Sequence, residues 1–287
     1  MLTVFAPAKV NIVLEVLGKT TDLHQVISIM QTINLCDVIE FRLAKDISFR
    51  CNEPSLQHNN IVEKAADLLK EATHCSNGAR IELRKNIPWG AGLGGGSSDA
   101  ANTLLALNQL WSLNLPTDNL IRLASKLGSD VPFFLHGGTA LVEGSGEKVT
   151  SLLPLPPTWF VLLIPPQLKI QNKTGRLYSE LHEENFTKGE YVSSALLSLL
   201  QKRMITPNLM FNIFEEIAFG FFPRLTEYKQ VFKRIGASSV HLAGSGPSLF
   251  TAMADEGQAR KLCSDLKNKG LESYVVPSLP ARVSNYS

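Results

Sequence analysis

Gly90-Ala91-Gly92-Leu93-Gly94-Gly95-Gly96-Ser97-Ser98 is the segment whose residue types and spacing point most directly at chemistry. Five of its first seven residues are glycine. Glycine loses more conformational freedom on folding than any other residue, so such a density persists where backbone must turn tightly or approach a ligand closely. Strand-like residues precede the loop, and the run Ala100, Ala101, Leu104, Leu105, Leu107, Leu110 after it is helical. Free N–H groups therefore gather at a helix N-terminus, which is an anion site, most often for phosphate. Ser97 and Ser98 add hydroxyls suited to a phosphate oxygen or Mg²⁺. Gly90, Gly92 and Gly95 also satisfy G-x-G-x-x-G, but the preceding chain is β-rich without βαβ alternation. No Lys-Ser/Thr pair follows G-x-x-x-x-G spacing, which excludes a P-loop. The bland alternative is a glycine turn with a serine N-cap.

A second glycine turn stands at Gly244-Ser245-Gly246. Phosphoryl transfer needs charge neutralisation on the phosphates and an aligned hydroxyl. The residue to orient or deprotonate that hydroxyl is sought in Gly128-Ser129-Asp130-Val131-Pro132. Asp130 reads either as a general base or as a helix N-cap shortly before a proline. Lys9 is the second candidate, since a cation beside Asp130 would hold it ionised; its alternative is a solvated surface lysine. Asn11 either binds substrate or holds Lys9 in place.

These residues must be held by the elements around them. Val10, Ile12, Leu14 and Val16 alternate as a strand, and strand-like runs follow at 28–33, 38–42 and 47–51. Asn60 is placed to cap a helix from Ile61 to about Thr73 that turns Ala65, Leu68, Leu69 and Ala72 to one face. A strand at 79–84, a helix from Ser97 to Trp111, a helix capped by Thr117 and a strand at 139–142 come next. The proline-rich stretch 154–166 flanks a strand at 159–164 and marks the expected domain boundary. Helices dominate from 174 to 235. Short strands at 239–242 and 250–253, a helix at 256–269 and a strand at 272–276 close the chain.

Composition bounds the partners. At 287 residues the chain suits one large domain or two modest ones, since domains run to roughly 100–200 residues. Hydrophobic residues at 44% and charged residues at 19% rule out a mostly disordered chain. A net charge of +2, from 28 basic against 26 acidic residues, lacks the basic excess of a nucleic-acid binder. The uncharged stretch 149–168 holds five prolines, too many for a membrane helix. The N-terminus lacks the pattern of a signal peptide. The 4 cysteines are scattered without metal-ligand spacing, as suits a reducing cytosol. A cytoplasmic protein with a small-molecule partner, no nucleic acid and no membrane is expected. Nothing in the sequence sets its oligomeric state or a metal ligand.

Several motifs together resemble the small-molecule kinase superfamily that includes galactokinase, homoserine kinase, mevalonate kinase and phosphomevalonate kinase. Ala6-Pro7-Ala8-Lys9-Val10-Asn11 resembles its first motif, the loop from Gly90 its ATP-binding motif, and Leu127–Phe134 its catalytic segment. Gly144-Ser145-Gly146-Glu147 and Ala243-Gly244-Ser245-Gly246-Pro247-Ser248 stand at the expected later places. The triple glycine followed by Ser-Ser-Asp-Ala-Ala looks most like the branch acting on 4-diphosphocytidyl-2-C-methyl-D-erythritol. The resemblance implies ATP and Mg²⁺ as cofactors and phosphorylation of the 2-hydroxyl of that cytidyl diphosphate sugar alcohol, in non-mevalonate isoprenoid synthesis. It implies an α+β fold with a ribosomal-protein-S5-like N-terminal domain over 1–153 and a ferredoxin-like α+β C-terminal domain over 154–287, the cleft between them. It casts Asp130 as general base with Lys9 beside it, and puts Asn60 and Lys85 at nucleotide-contacting positions; a cap and a strand-end lysine are their alternatives. His24 and Tyr178 are implied as cytosine-binding, Tyr178 forming the opposite aromatic wall. The segment Thr21-Asp22-Leu23-His24 departs from the branch: it is one residue shorter, with Leu23 where a tyrosine is expected. Another alcohol acceptor, such as homoserine or a mevalonate derivative, and a non-catalytic nucleotide-binding regulator are the rival readings.

Overall fold

Alternating aliphatic residues at the start of the chain build two long strands, β1 (Leu2–Lys19) and β2 (His24–Ala44), paired antiparallel from Leu2↔Phe41 to Lys19↔His24. The structure, a computed structural model, describes residues 1–20, 24–166 and 173–282. The runs read separately at 28–33 and 38–42 are one strand. Register shifts at Pro7/Ala8, Asn11/Val13 and Val16/Gly18 let the ribbon bend without breaking. Pro7 has no N–H for the ladder and falls at the first of these irregularities.

β3 (Ser48–Cys51), β4 (Gly78–Arg84), β5 (Thr139–Gly144) and β6 (Lys148–Ser151) extend this sheet. Against it pack α1 (Ile61–Thr73), α2 (Gly95–Leu110), α3 (Thr117–Leu127) and α4 (Val131–His136). Asn60 caps α1, its side-chain oxygen accepting from Val62 N at 2.9 Å, and Val62, Ala65, Ala66 and Leu69 are buried. Thr117 is the first residue of α3 and not its cap; Pro116 holds the cap position, without a side-chain bond. α2 is buried on most sides, its small Ala100 and Ala101 allowing close approach and its Leu104 and Leu107 packing with Phe41, Ile81 and Phe133.

Beyond residue 154 come β7 (Trp159–Ile164), α5 (Lys173–Ser179), α6 (Glu190–Lys202), β8 (Phe211–Asn212), α7 (Glu215–Phe221) and α8 (Leu225–Arg234). β9 (His241–Leu242), β10 (Leu249–Met253), α9 (Glu256–Asn268) and β11 (Glu272–Pro277) complete the chain. The four-stranded sheet runs β11-β7-β10-β9, antiparallel throughout. Its connectivity is that of a ferredoxin-like unit. The helical stretch expected over 174–235 is interrupted by β8, which pairs parallel with β1 (Val13↔Phe211, Leu14↔Asn212). One core therefore joins Leu14 and Val16 of β1 to Val161, Leu163, Phe214 and Phe222.

Candidate active site

A cavity of about 830 Å³ opens where β1, the glycine loop, α5 and the second glycine turn meet. Gly94, at φ 71°, occupies the cap of α2 with no side-chain bond, so the helix begins at Gly95 and not at Ser97. Its first intrahelical bond runs from Ser98 N to Gly94 O at 2.9 Å. The N–H groups of Gly95, Gly96 and Ser97 precede that bond and lie at the positive end of a 16-residue helix. Gly90, Gly92, Leu93, Gly94, Gly95, Gly96 and Ser97 all line the cavity. Ser98 does not: its side chain is wholly buried, and its hydroxyl accepts from Asn102 Nδ2 at 3.3 Å. Neighbouring helical residues point about 100° apart, so only one of the two serines faces out.

The two glycine segments touch. A Cβ at Gly92, where φ is 86°, would stand 2.1 Å from Ala243 O, and one at Gly244 would stand 2.7 Å from Gly92 O. Ser248 N donates to Ala91 O at 3.2 Å, and Lys9 N donates to Leu93 O at 2.9 Å. Asn212 of β8 holds the second turn, donating to Leu242 O at 2.9 Å and Gly244 O at 2.8 Å. Gly244 and Ser245 line the cavity; Gly246 does not, and its backbone packs instead against Gly92.

Lys9 and Asn11, two apart on β1, reach the same side of the sheet. Lys9 is buried, yet its Nζ lies 3.3 Å from Asp130 Oδ2 and donates to Asn11 Oδ1 at 2.6 Å. Asn11 Nδ2 donates to Ser28 Oγ at 2.8 Å, and that hydroxyl donates to Val13 O at 2.6 Å. The relay fixes the Asn11 amide with its oxygen toward Lys9. Asp130 stands at the cap of α4 but makes no capping bond through its side chain. Its carboxylate faces the cavity beside Lys9, about one third exposed. The β5–β6 hairpin supports this corner: a Cβ at Gly146 would meet Ser129 O at 2.2 Å, and Glu147 accepts from Ser145 N and Ser145 Oγ at 2.8 and 2.7 Å.

Lys85 is not a free strand-end lysine. Its Nζ is paired with Asp37 and, at 2.7 Å, with Asp99 Oδ2, all three buried. Burial, with the Asp37 charge adding to it, raises the Asp99 carboxyl above its ordinary value, and the Lys85 ammonium opposes that rise. The two carboxylates hold the Lys85 ammonium in its charged form despite burial. Asn60 lines the cavity too, but its oxygen caps α1 and its Nδ2 donates to Leu56 O at 2.8 Å.

His24 and Tyr178 are in contact, their ring centroids 4.8 Å apart and tilted 38°. Phe214 meets Tyr178 edge-on at 4.8 Å, and Phe186 meets His24 edge-on at 6.2 Å. Burial, with Lys19 second, lowers the His24 pKa, and burial foremost, then Asp130, raises that of Tyr178. Leu23, with the shortened segment before His24, lies outside the described residues. The sequence reading missed Phe214, Asp99 and Lys173, all lining the cavity. Asp99 directly follows the serine pair and was within reach of a motif reading; Lys173 carried no pattern.

A split α+β chain with a helix N-terminus, two interlocked glycine turns and a buried lysine beside an open aspartate defines a small-molecule kinase of the GHMP class. Residues 60–138 match the family described as the GHMP kinases N terminal domain, and residues 196–272 match GHMP kinases C terminal. A crystal structure of homoserine kinase from Cytophaga hutchinsonii shares the fold, with a TM-score of 0.74 at 22% identity over 97% of this chain and 94% of that one. The chain belongs, more narrowly, to the 4-diphosphocytidyl-2-C-methyl-D-erythritol kinase family. A protein of that name from Dehalococcoides mccartyi is 42% identical over 97% of this chain and 99% of its own length. A crystal structure of 4-(cytidine 5'-diphospho)-2C-methyl-D-erythritol kinase superposes with a TM-score of 0.81 at 33% identity, covering 96% of this chain and 99% of the other. Among the described residues no helix is long and apolar enough to cross a membrane.

Proposed function

We propose that the chain transfers the γ-phosphoryl group of ATP to the 2-hydroxyl of 4-diphosphocytidyl-2-C-methyl-D-erythritol, a step toward isoprenoid precursors in the non-mevalonate route. The observation that carries this reading is the 3.3 Å approach of Lys9 Nζ to Asp130 Oδ2 in a cavity bounded by the α2 N-terminus. Phosphoryl transfer depends on positioning and on charge stabilisation more than on covalent chemistry. The N–H groups of Gly95, Gly96 and Ser97 receive phosphate oxygens. Asp130 accepts the proton of the attacking hydroxyl, and Lys9 stabilises the charge that develops there. His24, kept neutral by burial and Lys19, offers both a donor and an acceptor to a base edge beside the Tyr178 ring. The residues before 154 carry the phosphate and base machinery, and those after it supply Tyr178 and the second glycine turn.

Mg²⁺ would neutralise phosphate charge. Among the described residues no group of three or more His, Cys, Asp or Glu side chains could hold a metal ion. Mg²⁺ often binds through substrate phosphates with few protein ligands, and the Ser97 hydroxyl at the α2 N-terminus fits that role. The four cysteines are free thiols, which fits the reducing cytoplasm we infer for the chain.

The test is ADP release from Mg-ATP with the cytidyl substrate, homoserine and mevalonate in parallel. Turnover is expected with the cytidyl substrate alone. Turnover confined to another alcohol would replace the acceptor, and ATP binding without turnover on any of them would favour a regulator.

Asn11 offers a second check. Asn11→Ala removes the acceptor that orients Lys9 and leaves Lys9 buried beside Asp130. We expect kcat to fall about 10–100-fold, as for a displaced electrostatic group, with nucleotide KM little changed. Equal loss in kcat and nucleotide affinity would make Asn11 a general support of the cavity.

A further inference from the structure

Lys173, the first residue of α5, is a lysine that no motif singled out. Its Nζ donates to Gly90 O at 2.8 Å and also to Gly246 O, so one ammonium bridges the two glycine segments. Thr174 adds a second tie, its hydroxyl 3.0 Å from that of Ser245. An ammonium has three donors and two are used on carbonyls. Among the described residues no carboxylate lies within ion-pair distance of Lys173, whereas Lys9 has Asp130 and Lys85 has Asp37 and Asp99. Two carbonyls compensate a half-buried ammonium only in part. The titratable groups around the same cavity are Lys9 and Asp130 at one corner, Tyr178 on α5 itself, His24 beside it, the Lys85–Asp99 pair beneath the loop, and His58.

We propose that Lys173 is a phosphate-binding cation of the active site, its free N–H directed at an oxygen of the nucleotide's phosphate chain where that chain passes between the two glycine segments. The inference rests on the kinase reading above and adds a residue to it. Burial, with Lys9 second, brings the Lys173 pKa down to about 8, the state of a cation that lacks its counter-charge. A phosphate supplies that charge. The protonated form is the one that binds, so affinity for ATP is complete below about 8 and falls as pH rises through it.

Lys173→Gln keeps an N–H donor pair for the two carbonyls and removes the charge; Lys173→Arg keeps the charge at every accessible pH. ATP and adenosine binding are measured by calorimetry between pH 6.5 and 9.5 for the wild-type chain and both variants, alongside thermal unfolding. We expect Lys173→Gln to weaken ATP about 30-fold at neutral pH, the scale of one charge-assisted bond, with adenosine binding and unfolding temperature unchanged. The wild-type affinity should fall above about pH 8 while that of Lys173→Arg stays level. ATP binding by Lys173→Gln equal to wild type, or equal losses of ATP and adenosine, would reduce Lys173 to a strap between loops. Should Lys173→Gln fail to fold, Lys173→Met takes its place, and ATP affinity equal to wild type in that variant overturns the proposal. No acceptor alcohol enters these measurements, so a wrong acceptor leaves the result standing. Failure of the wild-type chain to bind ATP at all would overturn the kinase reading and this proposal together.

Discussion

Asp130→Asn is expected to lower kcat about 10²–10⁴-fold, the range a general base contributes, while ADP affinity stays within a few-fold of wild type. The amide has nearly the shape of the carboxylate but cannot take the hydroxyl proton. The folded state loses little, because the Asp130 side chain makes no capping bond to α4 and is about one third exposed. Lys9 keeps Asn11 as its acceptor at 2.6 Å and can still meet the amide oxygen. Chemistry and stability should therefore separate. Single-turnover phosphoryl transfer and thermal unfolding, run on the same preparation, read the two. Turnover close to wild type would remove Asp130 from the role of base and leave alignment by the phosphate loops as the source of rate.

Gly92→Ala is expected to be severely damaging for a single added methyl. The added Cβ would lie 2.1 Å from Ala243 O and 2.9 Å from Gly246 N, both backbone atoms that cannot swing aside. A φ of 86° adds the strain of a left-handed residue, roughly 1–2 kcal/mol. The two glycine segments must part, and the Ser248 N to Ala91 O bond between them goes with the contact. We expect stability to fall by about 3–5 kcal/mol, the range of severe steric lesions, and nucleotide binding to be lost. Gly96→Ala is the control. The nearest atom to its Cβ would be 3.8 Å away, and alanine is the better helix former by up to about 1 kcal/mol. Its unfolding temperature should hold or rise. Similar unfolding temperatures for the two variants would show that the glycine segments are not in contact.

The elements around the site were largely legible because their signals are local. Asn60 caps α1 where a short polar side chain precedes an apolar stripe, and Trp159–Ile164 is strand because β-formers stand between prolines. The glycine loop was legible for a related reason: no packing need explains so many residues without side chains. Errors arose where geometry depends on a start point. The first turn of α2 begins at Gly95, which turns Ser98 into the core and leaves Ser97 at the cavity. Likewise, β1 and β2 run on through bulges that a reading of short alternating runs divides.

What the residues determined alone was the set of parts: a helix N-terminus behind a glycine loop, a second glycine turn, an aspartate ahead of a short helix and a lysine on the first strand. Propensity and capping act over a few residues, so they are written in neighbouring positions. Only the tertiary structure set Asp130 beside Lys9 and left its side chain without a capping bond, by packing α2 between β1 and α4; aspartate as a residue type suits base and cap alike. It also buried Lys85 between Asp37 and Asp99, brought His24 into contact with Tyr178, and drew Lys173 across two glycine turns. Each of these is a meeting of side chains far apart in the chain, set by how the sheets and helices share a core, and no spacing along the sequence encodes it.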